Sequence, residues 1–468
     1  MVNGSRNAAS EWPPLQSLLP GVVWPAVLGQ QGLILATLLG QLDQSQWLPS
    51  AEVERVQMKQ LRVLVEHARR HSRFHAERIA APRPDPEQEL HDALAAIPVM
   101  RRADLQSRRT DIDCAWLPPE HGEVSLAQST GSTGEPVSVR RTGLNNLIWM
   151  AMTLREHLWQ RRDFSLSMAI IRSQSATGGL LRQGASLPDW GAPVNQLFAS
   201  GPSHALTLET DVGRQPEWLR RIMPGYLLTY PSNLSALLDL AEADPVRLAG
   251  LGRLKQVRTI SETLHDDLRG RCRSVLGIGI ADIYSTQEVG VIAIECPQGG
   301  GYHVMAEGIV VELLDADGRP CAAGETGRVV VTDLHNFATP LIRYDLGDLA
   351  EADGPCTCGR GLTKIRRIRG RERNQLLMPD GSRIWPASGL RKFSGVPIRQ
   401  YQLIQSRLVL LELRLRVARP LTADERYAIA EHVRQSLGYP FEIDVIEFAE
   451  PLPLGPGGKF EQFVSRVA

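Results

Sequence analysis

Apolar residues at helical spacing mark two helical regions in the first third of the chain. Between Ala51 and Ala95 they recur at helical spacing, at Leu61, Leu64, Val65 and Ala68. This helical region ends near a proline-rich loop. Residues 143–162 repeat this spacing on one face, formed by Leu144, Leu147, Ile148, Ala151 and Leu154. Both regions are therefore predicted to be helical with one buried face.

Short apolar runs further along the chain predict buried strands, and helical segments separate them. The predicted strands cover 167–172, 226–230, 257–261 and 278–284, and the predicted helices cover 234–243 and 264–275. Ser232 or Asn233 is the expected N-cap of the first of these helices. The alternation of strands and helices indicates an α/β domain with buried sheets.

A second, smaller unit is predicted after Gly370 and Arg371. β-rich patterns cover 401–404 and 409–417, a helix covers 422–437, and a last strand covers 441–448. Thr422 and Glu425 have the spacing of a capping box at the start of that helix. The sequence thus predicts a domain boundary near residues 370–373.

Composition narrows the classes of partner. The 468 residues carry 52 basic and 52 acidic side chains, so no net charge favours nucleic acid or an anionic membrane. Residues 22–42 are apolar, but Pro25 and three glutamines interrupt them. This predicts helices on the surface of the main domain rather than a membrane span or a signal peptide. Six cysteines in so long a chain do not indicate a disulfide framework and favour a cytoplasmic protein.

The segment Gln128–Pro136 is rich in glycine, serine and threonine, with glycines at positions 131 and 134. Glycines let backbone N–H groups turn inward onto an anion, and hydroxyl groups add donors with little bulk. The segment lies between two predicted short strands, 123–127 and 137–140, and it lacks the Walker pattern. It is either a phosphate-binding loop or an ordinary polar hairpin turn.

Three cysteines and one histidine form a separate metal-ligand pattern, which comprises Cys296, His303, Cys356 and Cys358. Three thiolates and one imidazole satisfy a tetrahedral Zn²⁺ ion in a closed structural site. The glycines at 299–301 would allow the first arm to curl around the ion. The sequence therefore predicts structural zinc, and the other cysteines are expected to be small core residues.

Four further motifs follow the Gly/Ser/Thr loop in order: Tyr284-Ser-Thr-Gln-Glu288, Arg343-Tyr-Asp-Leu-Gly-Asp348, Gly370-Arg371 and Gly457-Gly-Lys459. With the loop, they resemble the motifs of the adenylate-forming superfamily, which includes acyl-CoA synthetases, adenylation domains and luciferases. The segments Gln60–Ala68 and Cys356–Arg360 are most similar to the phenylacetate–CoA ligase branch.

The resemblance implies an α/β fold with a large N-terminal adenylation domain of mixed sheets and a small, mobile α+β C-terminal domain. Residues 1–50 carry no motif and are expected to be an N-terminal extension. Residues 51–370 would form the large ATP- and acid-binding domain, and residues 371–468 the small domain that carries the catalytic lysine.

The resemblance assigns the loop to the β- and γ-phosphates of ATP. Thr133 is the expected direct phosphate contact in catalysis, beside the binding residues Ser129, Thr130, Gly131, Ser132 and Gly134. The family usually has a lysine soon after the second glycine, whereas Glu135, Pro136 and Val137 stand here. Less positive charge is therefore expected next to the loop.

Glu288 matches the carboxylate that holds Mg²⁺ in the family, a hard cation that prefers oxygen ligands. Tyr284 matches the residue that stacks on adenine, and Asp282 or Ser285 is expected close by. From the residues alone, Glu288 is equally consistent with a solvated loop carboxylate.

Asp348 matches the family's acceptor of the ribose hydroxyl hydrogens, and Arg371 matches an arginine that contacts the nucleotide near the hinge. Lys459 matches the catalytic lysine, whose ammonium group offsets charge on the α-phosphate and the carboxylate. Without the resemblance, Asp348 could shape a turn and Lys459 could belong to a frayed terminus.

The resemblance implies ATP- and Mg²⁺-dependent activation of a small carboxylic acid, aryl or arylacetic by default, to acyl-AMP. Transfer to a thiol, CoA above all, would follow. One alternative is transfer to an amine or a separate carrier protein in natural-product biosynthesis. Another is a weakly catalytic nucleotide-binding homologue that serves polysaccharide assembly. The acid, the acceptor and the oligomeric state stay open, with a homodimer as one option.

Overall fold

The structure is a computed structural model. It describes residues 12–79, 88–128, 136–173, 184–371, 374–384, 386, 396, 398–450, 452–453 and 460–467. These residues form two compact units. The larger takes in the described residues up to 128, 137–346 and 350–369, and the smaller takes in 347–349 and the described residues from 370 onward.

Helices dominate the first hundred described residues and recur between later strands. The α-helices of the described chain are α1 Gln30–Ser45, α2 Ser50–His71, α3 Arg73–Arg78, α4 Leu90–Ala95, α5 Arg102–Ser107, α6 Arg109–Ile112, α7 Gly143–Trp159, α8 Gln215–Ile222, α9 Pro231–Ala243, α10 Asp266–Leu276 and α11 Ala423–Leu437. Single 3₁₀ turns occupy Pro119–His121, Val194–Gln196 and Pro245–Leu248.

Most of the predicted helices are confirmed, with shifts at their ends. The helical region after Ala51 contains α2, α3 and α4. Between α2 and α3, Ser72 leaves the helix, and its Oγ accepts a hydrogen bond from His75 N, which caps α3. The predicted N-cap of α9 is wrong. That helix begins at Pro231, whose fixed φ suits the first turn, and Ser232 instead bonds the Glu262 carboxylate.

Twenty strands complete the described secondary structure. They are β1 Val124–Gln128, β2 Ser138–Thr142, β3 Met168–Arg172, β4 Ala185–Leu187, β5 Ser203–Thr207, β6 Tyr226–Thr229, β7 Gln256–Ile260, β8 Gly279–Thr286, β9 Gly290–Glu295, β10 Tyr302–Val304, β11 Ile309–Leu314, β12 Thr326–Asp333, β13 Tyr344–Ala352, β14 Lys364–Arg371, β15 Leu376–Leu377, β16 Arg383–Ile384, β17 Ile398–Arg407, β18 Leu410–Val417, β19 Glu442–Phe448 and β20 Phe463–Ser465.

A twelve-stranded mixed sheet organises the larger unit, in the order β11-β12-β13-β14-β10-β9-β8-β7-β6-β3-β5-β4. Strands β5, β3, β6, β7 and β8 run parallel, and β9 returns antiparallel to β8. The parallel run places the carboxyl ends of these strands at one edge, where open α/β sheets bind ligands. The predicted α/β class with mixed sheets is confirmed.

Alternate side chains of the parallel strands pack on opposite faces of the sheet. Ala169, Leu227, Val257 and Ile280 join a core with the apolar residues of α9 and α10. The other face is covered in part by α7, whose Ala151, Met152 and Leu154 belong to the largest core of the unit. Burial on both faces explains why these strands read as continuous apolar runs in the sequence.

The segment before α2 belongs to the same core. Leu35, Leu39 and Leu42 of α1 are buried in it, and Arg155 Nη2 of α7 donates a 2.5 Å hydrogen bond to Leu42 O. Residues 30–45 therefore contribute to the packing of the larger unit.

No helix in the described part of the chain combines the length and the apolar character needed to cross a bilayer.

The smaller unit contains a four-stranded sheet in the order β19-β18-β17-β20. Ile429 and Val433 of α11 pack with Leu411 and Leu413 of β18 in its core. The predicted capping box of α11 is present: Thr422 Oγ1 accepts from Glu425 N, and Glu425 Oε2 accepts from Thr422 N at 2.8 Å. The predicted α+β pattern of this unit is confirmed.

Candidate active site and metal cluster

The turn between β8 and β9 carries the predicted Mg²⁺ carboxylate. Tyr284 and Ser285 lie at the carboxyl end of β8, and the pairing of β8 with β9 shifts register between them. Glu288 follows in the turn and is buried. Gly290 closes the turn with a positive φ of 83° against the Trp149 ring, where a Cβ would come within 3.2 Å. Side-chain packing therefore fixes the turn that presents Glu288.

Two arginines surround Glu288. Arg102 Nη1 of α5 lies 3.1 Å from Glu288 Oε1. Arg141 of β2 donates to the carbonyl of Gln287, and its guanidinium stacks 4.3 Å from the centre of the Trp149 ring. Burial lowers the pKa of Arg141, and the nearby carboxylates of Asp333 and Glu288 offset only part of this decrease. Glu288 is therefore an ion-paired carboxylate in a cationic setting, not a solvated loop residue.

Asp333 extends this polar group into the core. Its carboxylate accepts from Asn145 Nδ2 at 3.2 Å, and burial raises its pKa to about 6. None of Arg102, Arg141, Asn145 and Asp333 stood out in the sequence. Arg141 and Asn145 are close in sequence, but Arg102 and Asp333 come from distant stretches of chain, so the proximity of the group had no local signal. A buried arginine in the strand after a glycine-rich loop was the nearest available clue.

Hydrogen bonds hold the strand under Tyr284 in place. Asp282 Oδ1 accepts from Thr259 Oγ1 at 2.6 Å, and Oδ2 accepts from Tyr302 OH at 2.8 Å. Asp282 N donates to Glu295 Oε2 at 2.8 Å. Asp282 therefore ties β8 to its neighbours, which leaves Tyr284 as the nearer candidate for ligand contact.

The motif Arg343–Asp348 divides into anchoring and candidate binding residues. Arg343 is buried with a positive φ of 51°, and its Nη2 lies 2.9 Å from Glu312 Oε1. Asp345 pairs with Arg328 at 3.0 Å. In the smaller unit, Asp348 Oδ1 lies 3.5 Å from Arg371 Nε. The structure thus brings together Asp348 and Arg371, the two residues assigned to the nucleotide.

The predicted zinc ligands converge in the larger unit. The ligand atoms of Cys296, His303, Cys356 and Cys358 all lie within 4.8 Å of one another. Cys296 Sγ is 3.8 Å from Cys356 Sγ, and Cys358 Sγ is 3.2 Å from His303 Nε2. With Zn–S bonds of about 2.3 Å, the edge of a tetrahedron is about 3.8 Å. The donor set and its spacing fit a tetrahedral zinc ion.

Residues around the cluster orient its ligands. His303 is fully buried, its Nδ1 lies 3.3 Å from Leu362 O, and burial lowers its pKa to about 4, which keeps the ring neutral. A hydrogen bond to the second ring nitrogen is the usual support of a metal-binding histidine. Arg360, two residues after Cys358, lies between Trp47 and Trp159, at 4.8 and 4.3 Å from the ring centres. The loop that carries Cys358 therefore packs against Trp47, which follows α1, and against Trp159 of α7.

Two of the assigned motifs lie outside the described residues. They are the phosphate loop, with Ser129, Thr130, Gly131, Ser132, Thr133 and Gly134, and the motif of Lys459. The strands that flank the loop are described and pair from Val124↔Thr142 to Gln128↔Ser138. The two short strands that the sequence predicted on either side of the loop are therefore present and pair antiparallel.

Comparison with known proteins identifies the relatives of the chain. A phenylacetate–coenzyme A ligase of Thermus thermophilus is 26% identical over 234 residues, 43% of this chain and 52% of that enzyme. The chain thus spans about half the length of that relative. A phenylacetate–coenzyme A ligase of Escherichia coli is 26% identical over 356 residues, 74% of this chain and 77% of that enzyme. No protein-family model matches the chain.

Solved structures show the same fold. A crystal structure of 2-hydroxyisobutyryl-CoA ligase, in the postadenylation state with 2-HIB-AMP, superimposes with a TM-score of 0.70 and 18% identity. The superposition covers 90% of this chain and 91% of that one. The chain is therefore a relative of the phenylacetate–coenzyme A ligases and has the fold of the adenylate-forming superfamily.

Proposed function

We propose that this protein is a ligase that activates a carboxylic acid with ATP and transfers the acyl group to a thiol, CoA. A carboxylate oxygen attacks the α-phosphate, the bond to the β-phosphate oxygen breaks, and pyrophosphate leaves with its electron pair. The thiolate then attacks the acyl carbon of acyl-AMP, and AMP leaves. Aryl and arylacetic acids are the default substrates because the aligned relatives are phenylacetate–CoA ligases.

The observation that carries this proposal is the buried, ion-paired Glu288 at the carboxyl edge of the parallel strands, in a chain related to these ligases. A carboxylate paired with an arginine can exchange that guanidinium for a divalent cation, which prefers oxygen ligands. Tyr284, with Ser285 beside it, would offer its ring to adenine, and Glu288 would take Mg²⁺. Bound Mg²⁺ would neutralise charge on the phosphates of ATP.

The remaining roles follow the family assignment. Residues 129–134 would hold the β- and γ-phosphates through backbone N–H groups and hydroxyls, with Thr133 in direct contact. Asp348 would accept hydrogen bonds from the ribose, with Arg371 beside it. Lys459 would lie on the α-phosphate during adenylation. We further propose that residues 371–468 move as a domain between the two half-reactions.

Cys296, His303, Cys356 and Cys358 would hold a structural Zn²⁺ ion. Four protein ligands leave no open coordination position, so the ion would take no part in the reaction. It would instead join the segment after β9 to the segment after β13, two arms separated by more than fifty residues. Thiolate ligands need a reducing compartment, which favours the cytoplasm; all six cysteines are free in the structure.

Carboxylate-dependent exchange of labelled pyrophosphate into ATP tests the proposal. The acid panel should contain aryl, arylacetic, fatty and amino acids, each with the purified, zinc-replete protein. Exchange that depends on one class of acid supports adenylation and identifies the substrate class. Subsequent addition of CoA, an amine or a carrier protein separates the acceptors. Absence of exchange with every acid favours a weakly catalytic nucleotide-binding protein instead.

A further inference from the structure

Three arginines gather on the face of the sheet that α7 covers. Arg258 stands in the middle of β7, Arg172 is the last residue of β3, and Arg162 follows the end of α7. Arg162 binds the Glu156 carboxylate with both Nη atoms, at 2.7 and 2.6 Å. Arg258 Nε lies 2.9 Å from the same carboxylate. The Arg162 and Glu156 side chains are almost completely shielded from solvent, and Arg258 is 12% exposed.

The cluster has more positive than negative charge. Glu156 is the one carboxylate that the structure records in contact with these arginines within the described chain. The neighbouring His157 ring lies 3.0 Å from Arg162 Nη1 and is neutral, because burial holds its pKa well below 6.5. Arg172 is close enough to Arg258 for its charge to lower the pKa of that residue, after the larger effect of burial.

Arg172 is the member that internal pairing leaves unexplained. Its Nε is shielded from solvent, and the described part of the chain supplies it with no hydrogen-bond acceptor. A buried guanidinium N–H without an acceptor is costly, and a second uncompensated charge nearby adds to the cost. Arg162, by contrast, is satisfied by Glu156 and by Gln256 Oε1 at 3.0 Å. Within the described chain, the unsatisfied donors of the cluster are therefore Arg172 Nε at the strand end and Arg258 Nε, which lies close to Glu156 but makes no hydrogen bond of acceptable geometry.

The position of the cluster relates it to the proposed active site. In the sheet, Ile170 pairs with Leu228, Leu228 with Arg258, and Arg258 with Ala281. Two residues further, about 7 Å along the strands, lie Arg172 on β3 and Ile260 on β7. Ile260 pairs with Ile283, the residue before Tyr284. Arg172 is thus level with the residue before Tyr284, and Arg258 is level with Ala281, three residues before Tyr284.

The residues around the arginines near this edge are apolar and buried. Leu228, Tyr230, Ile260 and Ile283 form a small cluster, with Ile170 and Val291 packed against it. These side chains belong to the same face as Arg172 and Arg258, because residues of the opposite parity pack on α9 and α10. A ligand at the strand ends would contact these apolar side chains beside Arg172, with Arg258 two residues further in.

We propose that the acid activated by this protein is a dicarboxylic acid whose second carboxylate binds Arg172 and Arg258. This inference rests on the proposed function. The reacting carboxylate would lie at the strand ends by Tyr284, the carbon skeleton would contact the apolar cluster, and the distal carboxylate would supply the missing acceptor. Guanidinium groups suit this task because their forked donors match the two carboxylate oxygens.

The direct test compares matched acids by ATP–pyrophosphate exchange with the full chain. The pairs differ in one carboxylate: 4-carboxyphenylacetate with phenylacetate, and glutarate with pentanoate. A site built to hydrogen-bond a substrate group rejects the analogue that lacks it by a large factor. The wild-type protein should therefore show kcat/KM at least about 100-fold higher for the dicarboxylate of the preferred pair.

Variants of Arg172 test whether this residue causes the preference for the dicarboxylate. Arg172→Met should bring the dicarboxylate to monocarboxylate ratio to within about tenfold of unity, chiefly through a higher KM for the dicarboxylate, and Arg172→Lys should recover part of it. The exposed Arg273→Met on α10 is the matched control and should keep the wild-type ratio. Circular dichroism checks that each variant folds. The comparison of dicarboxylates with monocarboxylates in the wild-type protein tests the proposal even if a variant fails to fold.

Three results would overturn the inference. A wild-type protein that prefers the monocarboxylate of both pairs excludes a dicarboxylate site while it upholds adenylation. A dicarboxylate preference that survives in Arg172→Met places the second carboxylate elsewhere. Absence of exchange with every acid in the wild-type protein removes the proposed function and this inference with it.

Discussion

Arg102 and Glu288 form an ion pair between residues 186 positions apart, with Arg102 Nη1 at 3.1 Å from Glu288 Oε1. Arg102 is the first residue of α5. Backbone hydrogen bonds hold Met100, two positions before it, in place. Met100 N donates to Arg343 O at 2.7 Å, and Asp345 N donates to Met100 O at 2.8 Å. The pair therefore joins the start of α5 to the turn after β8. A divalent cation that binds Glu288 must either displace the Arg102 guanidinium or share the carboxylate with it.

Replacement of Glu288 by Gln should weaken the use of Mg²⁺. The neutral amide keeps the shape of the side chain but loses the charge that a hard cation requires. We expect the half-saturating Mg²⁺ concentration in pyrophosphate exchange to rise at least about tenfold, with a lower maximal rate. Glu217→Gln, at an exposed position of α8, should follow the wild type. An unchanged Mg²⁺ titration of Glu288→Gln would remove Glu288 from the metal site.

Replacement of Cys356 by Ser should remove the zinc ion. The structure predicts about one zinc per chain in the wild type and far less in the variant, measured by plasma mass spectrometry. Because metal binding contributes directly to folding, the midpoint of thermal unfolding should fall by at least about 5 °C. Cys321→Ser, at a partly exposed cysteine outside the cluster, should retain zinc. A zinc-free wild-type protein of full stability would contradict the assignment.

Replacement of Lys459 by Ala should act on adenylation. A lysine that offsets charge on the α-phosphate matters most in the transition state, so the exchange rate should fall by about 100-fold or more with little change in the KM for ATP. Lys59→Ala removes an exposed lysine of α2 and should have no effect on exchange. Equal exchange rates in Lys459→Ala and the wild type would exclude Lys459 from this half-reaction.

The buried His75 should make the protein less stable in mild acid. Its Nε2 lies 2.8 Å from Pro340 O, and burial lowers its pKa to about 3. Because the unfolded chain takes up the proton near pH 6.5, stability that is present above this pH is lost as the pH falls towards 3. From about pH 7.5 to about pH 5, this residue should cost about 2 kcal/mol of the free energy of unfolding.

Urea denaturation of His75→Gln at the two pH values isolates this effect. Glutamine keeps an N–H donor and does not titrate, so the variant should lose about 2 kcal/mol less than the wild type between the two pH values. His91→Gln, at an exposed position, serves as the control and should keep the wild-type slope. Parallel slopes for His75→Gln and the wild type would show that His75 is not the source.

Local signals in the sequence predicted local structure well. The capping box of α11 and the strand before Glu288 depend on neighbours within a few residues, and both are present. The convergence of Cys296, His303, Cys356 and Cys358 was also predictable, since thiolates and imidazole in this spacing are typical of zinc sites. The fold followed from strand–helix alternation together with the order of the motifs.

Pairs that join distant segments could not be predicted in this way. Arg102 carries no mark of its pairing with Glu288, and nothing near Glu156 indicates that Arg162 and Arg258 share it. The core contribution of residues 30–45 was also hidden, because a stretch without a motif gives no register against α7. These features depend on tertiary packing, which a single sequence does not encode as a periodic pattern.

A single-turnover experiment tests the central claim of acid activation through acyl-AMP. Excess protein is mixed with ATP, Mg²⁺ and the acid that best supports exchange, and the quenched mixture is analysed by mass spectrometry before and after addition of CoA. Acyl-AMP and pyrophosphate should form without CoA, and addition of CoA should then consume acyl-AMP and form acyl-CoA and AMP. Formation of ADP, or of acyl-CoA with no adenylate at any time, would contradict activation through acyl-AMP.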